Sequence, residues 1–317
     1  MRQHGILQLH RHVEARRHIS MSLSFDKPLL LQRGIGMPVR KYEDKIVGFI
    51  DVVGFKNIID KSCSEGDPDL IVRLISQLGS AKDESMFSRD GGGVCPQSNR
   101  IAFDLNFKIT QLSDSVVISC EISPAGVVNM LHFCRMVFGR LLLRERVLCR
   151  GFITMGKVYH HGNYIFGPAY QDAVTGEKHS AAININGEQI GMPYIQIDQV
   201  VIDEISRYDD SCVKRMVGDW IDTLNCSSII SPVDFFKKLV DCSFSADDIN
   251  EAKKQINSIK DIVLNLCDYH KSRMPTNDKE ALKVLSIMES LSNALLHIDS
   301  AEKSIYRSNG IFPCYRN

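Results

Sequence analysis

Hydrophobic and polar positions predict alternating strands and helices in the first two thirds of the chain. Lys45–Phe55 is apolar at nearly every position apart from Asp51, which is typical of a central strand covered on both faces. Pro68–Leu78 opens with proline and repeats apolar residues at helical spacing, which predicts a first helix. Between Ile101 and Ile109 every second residue is apolar, which predicts a half-buried strand.

The same pattern continues through a hairpin and four further elements. Ser113-Asp114-Ser115 interrupts the second strand and Val116–Ser119 resumes it, so we predict a hairpin with Asp114 at its tip. The later elements are a long helix, a strand, a short helix and a final strand, at Pro124–Arg146, Arg150–His160, Gly167–Ala181 and Tyr194–Ile202. The order strand, helix, strand, strand, helix, strand predicts an α+β, ferredoxin-like fold with an appended helix and strand.

After residue 203 the pattern is that of helices. Apolar residues recur at helical spacing in Ala252–Leu266 and Val284–Leu295, which predicts two helices with one apolar face each. We therefore predict an unstructured N-terminal arm at residues 1–40, a catalytic domain at 41–202 and a helical C-terminal region at 203–317. The arm has no apolar core of the kind a secretory signal needs.

Composition limits the partners and the compartment. The 317 residues include 38 basic and 38 acidic side chains, so no overall charge favours nucleic acid or an anionic membrane, and neither partner is expected. Hydrophobic runs are too short to span a bilayer. The ten cysteines form no C-x-x-C pair, which indicates neither a zinc site nor a disulfide framework. We expect a cytoplasmic protein.

Two aspartates are the candidates for chemistry. Asp51 lies inside an apolar strand, where a carboxylate is costly unless something compensates for its charge. Paired carboxylates can hold two ions for nucleotidyl transfer, and oxygen ligands favour Mg²⁺ or Mn²⁺. Aspartate is also common in turns, so Asp114 alone has an ordinary structural explanation and the pattern leaves both interpretations open. His160 and His161 are adjacent on a strand and point to opposite faces, so we expect a surface pair near a turn.

Three ordered stretches resemble the motifs of class III nucleotide cyclases. FIDVVGF at Phe49–Phe55 resembles their first metal motif, LSDSVVIS at Leu112–Ser119 their second metal hairpin, and Cys149–Ala173 the stretch with a phosphate-binding arginine. The resemblance covers roughly residues 45–198 and is strongest to the pyrimidine cyclases of bacterial Pycsar anti-phage systems. It implies a ferredoxin-like class III cyclase catalytic domain followed by the helical C-terminal region.

The resemblance implies a site with two divalent cations, Mn²⁺ or Mg²⁺. Asp51 and Asp114 match the two metal aspartates, and Val52 matches the position whose backbone carbonyl also reaches a metal. The implied nucleotide-binding residues on the same motifs are Phe49, Gly54, Phe55 and Arg150. Among them, Gly54 and Phe55 form the turn whose amides hold the triphosphate, and Arg150 grips phosphate with its planar fork.

This chain differs from purine cyclases at the positions that recognise the nucleotide base and at those that stabilise the transition state. The purine-reading lysine and aspartate are replaced by Thr110 and Tyr164, a hydroxyl and an aromatic face that suit a smaller ring. Gln171 stands at the transition-state asparagine and can still donate a hydrogen bond. Thr175 stands at the transition-state arginine and carries no charge, so we expect either that Lys178 or another basic residue replaces it or that turnover is low. The resemblance therefore implies a pyrimidine substrate, UTP in preference to CTP.

The implied reaction converts UTP to 3′,5′-cyclic UMP and pyrophosphate, an anti-phage messenger read by a separate effector protein. A homodimer with composite active sites is implied, because related enzymes take the metals from one subunit and the base and transition-state groups from the other. Alternatives are a cytidylate cyclase, or a degenerate cyclase domain that acts as a nucleotide-binding or interaction module. A diguanylate cyclase or polymerase palm is a further alternative, but the hairpin reads SDS and a template-binding basic surface is not indicated.

Overall fold

A computed structural model describes residues 41–89, 104–230, 236–237, 239–240 and 249–307. These described residues form one compact unit. The predicted arm at 1–40 and the first part of the predicted second strand, 101–103, lie outside the described residues. The described part combines helices with a mixed sheet, so the α+β class is confirmed.

Four antiparallel strands form one side of the main sheet in the order β2-β3-β1-β4. They are β1 Glu43–Val52, β2 Lys108–Leu112, β3 Ser115–Glu121 and β4 Cys149–His161. Beside β4 lies the parallel strand β8, and a hairpin of β9 and β10 continues the sheet from β8. The remaining strand bounds are β5 Tyr164–Phe166, β6 Ile183–Ile185, β7 Glu188–Ile190, β8 Ile195–Ile197, β9 Ile221–Leu224 and β10 Ser227–Ile230.

The helices begin where the sequence supplies caps and proline. Before α2, the Asp67 carboxylate accepts a hydrogen bond from the backbone N–H of Leu70, and before α4 the Ser123 hydroxyl accepts one from Gly126. The helix bounds are α1 Phe55–Glu65, α2 Pro68–Ser76, α3 Ala81–Arg89, α4 Pro124–Arg140, α5 Pro168–Lys178, α6 Gln199–Arg207, α7 Ser211–Gly218, α8 Ile249–Ser272 and α9 Asp278–Arg307. A π-helical turn, Leu141–Glu145, continues α4.

The two faces of β1 pack against different helices because strand side chains alternate. Ile46 and Ile50 belong to the larger core, which also contains the apolar side of α4. Val47 and Phe49 pack on the other face against Ala169 and Ala173 of α5, and we call this the α5 face. Asp51 follows Phe49 by two residues and therefore lies on the α5 face.

Helix α4 is the one described helix that is long and apolar enough to cross a membrane by length and composition. Its span with the π-helical turn is Pro124–Glu145, and 67% of its apolar window is buried inside the protein. The helix therefore packs as a core helix of the described structure.

Several predicted boundaries were wrong. Strand β1 ends at Val52, and the next turn begins α1, a helix the sequence did not predict. The second strand starts only at Lys108, while residues 104–107 are irregular. The predicted final strand ends at Ile197, because α6 begins at Gln199 and buries Val201 at helical spacing. The alternation in this short stretch was compatible with a strand as well as with a helix turn.

The predicted helical C-terminal region also contains strands. Asn225 and Cys226 both adopt left-handed φ angles, 49° and 63°, as a tight two-residue hairpin requires, and they connect β9 to β10. The apolar face of α8 is buried as predicted, from Ala252 to Leu266. In α9 the predicted residue Leu291 is buried, but Leu285 is 49% exposed and Ile287, which was not predicted, is buried. Cys212 is disulfide-bonded, whereas Cys120, Cys134 and Cys149 are buried free thiols.

Candidate active site

The two predicted metal aspartates meet at one end of the sheet. Asp51 lies near the end of β1, directly opposite Ser115 of β3 and Arg150 of β4. Asp114 occupies the turn between β2 and β3, as predicted. Its carbonyl oxygen accepts a hydrogen bond of 3.2 Å from the N–H of Val52, which fixes the hairpin tip beside the end of β1. Two residues that are far apart in the sequence, Asp51 and Asp114, thus lie at the same end of the sheet.

The charge of Asp51 is poorly compensated. Burial, followed by the negative charges of Glu177 and Asp114, raises the pKa of Asp51 to about 7. The positive charge of Arg150 and a hydrogen bond from Val52 lower the pKa of Asp51 but do not offset the increase. A carboxylate held in this way is a candidate functional group, because a cation would relieve its unfavourable environment.

The donor set fits a magnesium-class ion better than a protein-only metal cage. Among the described residues, no group of three or more His, Cys, Asp or Glu side chains is arranged to hold a metal. Mg²⁺ typically uses one or two carboxylates and takes its other ligands from water and substrate phosphates. Asp51 and Asp114 meet that requirement, and the backbone N–H of Val52 is hydrogen-bonded to the carbonyl oxygen of Asp114.

The turn after β1 leads into a helix N-terminus that has no side-chain cap. Gly54 has φ 75°, precedes α1 as its N-cap, and provides no side-chain cap. The first turn of α1 contains no acidic residue, and a Cβ atom built on Gly54 would meet nothing within 4 Å. Phe55 is 6% exposed and packs in the core, so it can offer a ligand only its backbone amide. A helix N-terminus with open space in front of it favours a phosphate group.

Arg150 is held by a residue that the sequence did not indicate. Its Nε donates to Oε1 of Glu177, a buried side chain of α5, in an ion pair beside Asp51. Sequence reasoning assigned no role to Glu177, although Ala169, Ala173 and Glu177 follow one another at four-residue spacing on a single helix face. That spacing was the available signal, because a carboxylate on a buried helix face needs a partner.

The predicted transition-state residues lie on the opposite side of α5. Gln171, Thr175 and Lys178 are exposed, whereas Ala169, Ala173 and Glu177 are buried against the sheet. One chain therefore does not bring Gln171 and Lys178 together with Asp51. They form a solvent-facing row on the same helix that holds Arg150.

Thr110 is engaged inside the protein. Its hydroxyl lies 2.8 Å from Nε2 of His160 and 3.2 Å from the carbonyl oxygen of Gly162, and the Ser119 hydroxyl lies 2.8 Å from Nδ1 of His160. A neutral His160 with its proton on Nε2 satisfies every member of this network. Burial, followed by the charges of Lys45 and Lys108, lowers the pKa of His160 to about 3.

The expectation that His160 is a surface residue was wrong, since it is 5% exposed. The β4–β5 hairpin folds towards β2 and β3 and carries His160 inward, which strand alternation alone could not indicate. His161 is exposed as predicted.

The remaining candidates differ in exposure. Phe49 is 8% exposed beneath α5, so its side chain packs in the protein instead of lining an open site. Tyr164 is 70% exposed at the start of β5, two residues after Gly162, and is free to contact a ligand or another subunit. No family model matches the chain, and no curated protein matches it.

Proposed function

We propose that the protein is a class III nucleotidyl cyclase that converts a pyrimidine nucleoside triphosphate, UTP in preference to CTP, into its 3′,5′-cyclic monophosphate and pyrophosphate. The observation that carries the proposal is the meeting of Asp51 and Asp114 next to an uncapped helix N-terminus and Arg150. The strand order β2-β3-β1-β4, with helices between β1 and β2 and between β3 and β4, supports a ferredoxin-like cyclase domain.

The chain's own groups would share the work of the reaction. Asp51 and Asp114 bind two Mg²⁺ or Mn²⁺ ions, which supply activation of the ribose 3′-hydroxyl and charge neutralisation of the leaving pyrophosphate. The amides at Gly54 and Phe55 bind phosphate oxygens at the positive end of α1. Arg150 binds phosphate through the terminal nitrogens that its contact with Glu177 through Nε leaves available.

The choice of base falls mainly to Tyr164 in this proposal. The hydroxyl of Thr110 already has partners in His160 and Gly162, so it supports the β4–β5 turn that precedes Tyr164. An exposed tyrosine can stack on a pyrimidine ring and offer a hydroxyl to its edge. UTP and CTP differ only at that edge, and the preference for UTP comes from the resemblance to Pycsar cyclases.

We further propose a homodimer in the cytoplasm whose product acts as an anti-phage messenger for a separate effector. The support for the dimer is that Gln171 and Lys178 face solvent on α5, away from Asp51 of the same chain. Gln171 would donate a hydrogen bond to the transition state of the other subunit. Lys178 would provide the positive charge that Thr175 lacks.

Incubation of the purified protein with each of the four nucleoside triphosphates and Mn²⁺, followed by chromatography, tests the reaction. We expect cyclic UMP as the main product. Cyclic CMP as the main product would make the enzyme a cytidylate cyclase, and a purine product would overturn the pyrimidine assignment. Binding of a nucleotide without any cyclic product would favour the degenerate module, for which the missing charge at Thr175 is the supporting observation.

Subunit mixing tests the composite site. Asp51→Ala and Lys178→Ala variants should each be inactive, and a mixture that exchanges subunits should regain activity because one site per heterodimer is intact. A matched mixture of Asp51→Ala with Asp114→Ala should stay inactive, since both changes damage the same half of the site. Equal recovery in both mixtures would contradict the proposed division between subunits.

A further inference from the structure

Glu177 is a buried carboxylate whose partner is the candidate phosphate arginine. It lies in the last turn of α5 with 5% of its side chain exposed, and Arg150 is 19% exposed. Each of the two charged groups loses favourable hydration when it is buried, and this loss can exceed the attraction between them. A buried ion pair is therefore weak evidence for a stabilising role. The surroundings of this pair indicate a different purpose.

The strand register places a different acid opposite Arg150. Asp51 and Arg150 are direct cross-strand partners in β1 and β4. Cβ atoms at such positions lie about 4.5–5.5 Å apart, and opposite charges there ordinarily attract each other. In the described part of the chain, however, the ion pair of Arg150 is with Glu177.

Two glycines allow Glu177 to reach Arg150. A Cβ atom at Gly176 would overlap the ring of Phe152 at 2.5 Å, so only glycine lets α5 approach β4 this closely. A Cβ atom at Gly191 would overlap the carbonyl oxygen of Lys178 and come within 3.3 Å of Nη1 of Arg150. Gly176 therefore lets the last turn of α5 pack closely on β4, and Gly191 brings the backbone close to both Lys178 and the guanidinium of Arg150.

We propose that Glu177 is a positioning residue that holds Arg150 away from Asp51, so that Asp51 stays free to bind a divalent cation. The inference rests on the proposed function, which gives Asp51 its metal and Arg150 its phosphate. Without the charge of Glu177, the guanidinium turns to its cross-strand partner Asp51. A metal ion must then compete with an arginine for the same carboxylate.

The test measures Mn²⁺ binding to the full chain without nucleotide, by titration calorimetry or by electron paramagnetic resonance of free Mn²⁺. Glu177→Gln should weaken Mn²⁺ binding roughly ten- to hundredfold, the range of one charge-assisted hydrogen bond. The double variant Glu177→Gln with Arg150→Gln should return to within a few-fold of Arg150→Gln alone, because the competing guanidinium is absent. Circular dichroism identifies a temperature at which all variants are folded, and binding is compared there.

The outcomes separate this inference from the proposed function. Unchanged Mn²⁺ affinity in folded Glu177→Gln, or a loss that the double variant does not recover, would overturn the positioning role and leave the cyclase proposal standing. A wild-type chain that binds no Mn²⁺, or binding that survives Asp51→Ala, would overturn both. If Glu177→Gln does not fold, Glu177→Asp replaces it, since it keeps the charge but shortens its reach. A smaller loss with the same recovery is then expected, and no loss would refute the role.

Discussion

The two ends of the α5 face treat their buried polar groups in opposite ways. At one end, His160 has both ring nitrogens hydrogen-bonded, and its pKa is lowered to about 3, so it is neutral and satisfied. At the other end, the pKa of Asp51 is raised to about 7 by burial, Glu177 and Asp114. A satisfied polar group supports the fold, whereas an uncompensated one costs stability and indicates a site built for binding.

Loss of Asp51 should separate activity from stability. Asp51→Asn should lower cyclase activity by roughly a thousandfold because it removes a metal ligand, and it should not lower the melting temperature because it removes a poorly compensated charge. Asp44→Asn is the matched control, since Asp44 lies on the same strand, is 60% exposed and forms an ion pair with exposed Lys157. Product formation and thermal denaturation are measured for both. Wild-type activity in Asp51→Asn would show that Asp51 has no role in the reaction.

Loss of His160 should have the reverse profile. His160→Ala leaves the buried hydroxyls of Ser119 and Thr110 without their partner, so the free energy of unfolding should fall by about 2–4 kcal/mol. The neighbouring His161→Ala, at an exposed position, should change it by less than about 0.5 kcal/mol. Urea denaturation measures both. Similar small effects in the two variants would show that the His160 network contributes little to the fold.

The two ends should also give opposite pH dependences. The pKa of Asp51 in the folded protein, about 7, lies above its ordinary value of 3.8. The stability that Asp51 contributes to the folded state is therefore complete below pH 3.8 and is lost as the pH rises towards 7. The folded pKa of His160, about 3, lies below its ordinary 6.5, so its contribution is present above 6.5 and is lost as pH falls towards 3.

Comparison of wild type with Asp51→Asn isolates the first effect. The measurement is made with a chelator present, so that no metal binds. Between about pH 5 and pH 8 the free energy of unfolding of the wild type should fall by about 1–2 kcal/mol more than that of Asp51→Asn, after allowance for solvent screening of a partly exposed group. Urea denaturation across that range provides the measurement. Parallel stability curves would mean that Asp51 is better compensated than its surroundings indicate.

The smallest expected effect concerns two left-handed glycines. Gly54 has φ 75° and Gly66 has φ 67°, and a Cβ atom at either would meet nothing within 4 Å. Alanine at each should therefore cost about 1–2 kcal/mol of backbone strain. Only Gly54→Ala should also raise the KM for the nucleotide, by a few-fold, because its methyl group enters the space in front of α1. An equal change of KM in Gly66→Ala would show that the KM increase in Gly54→Ala comes from reduced stability and not from the position of Gly54 in the site.

The sequence by itself determined the local framework of the candidate site. An apolar strand interrupted by Asp51, and a hairpin with Asp114 at its tip, were predicted from alternation and turn residues, and the structure contains both. The buried face of α8 was likewise predicted from helical spacing. These features depend on short-range geometry, and a period of two or of 3.6 residues is visible in the chain itself.

Only the tertiary structure decided which partners the polar groups have. Periodicity placed Glu177 on one face of a helix, but not opposite Arg150, and it placed His160 on a strand, but not against Thr110 and Ser119. It also gave no sign that β10 pairs with β8 and extends the sheet. Such pairings join residues far apart in sequence, and a one-dimensional pattern records which side a residue faces without recording what lies across from it.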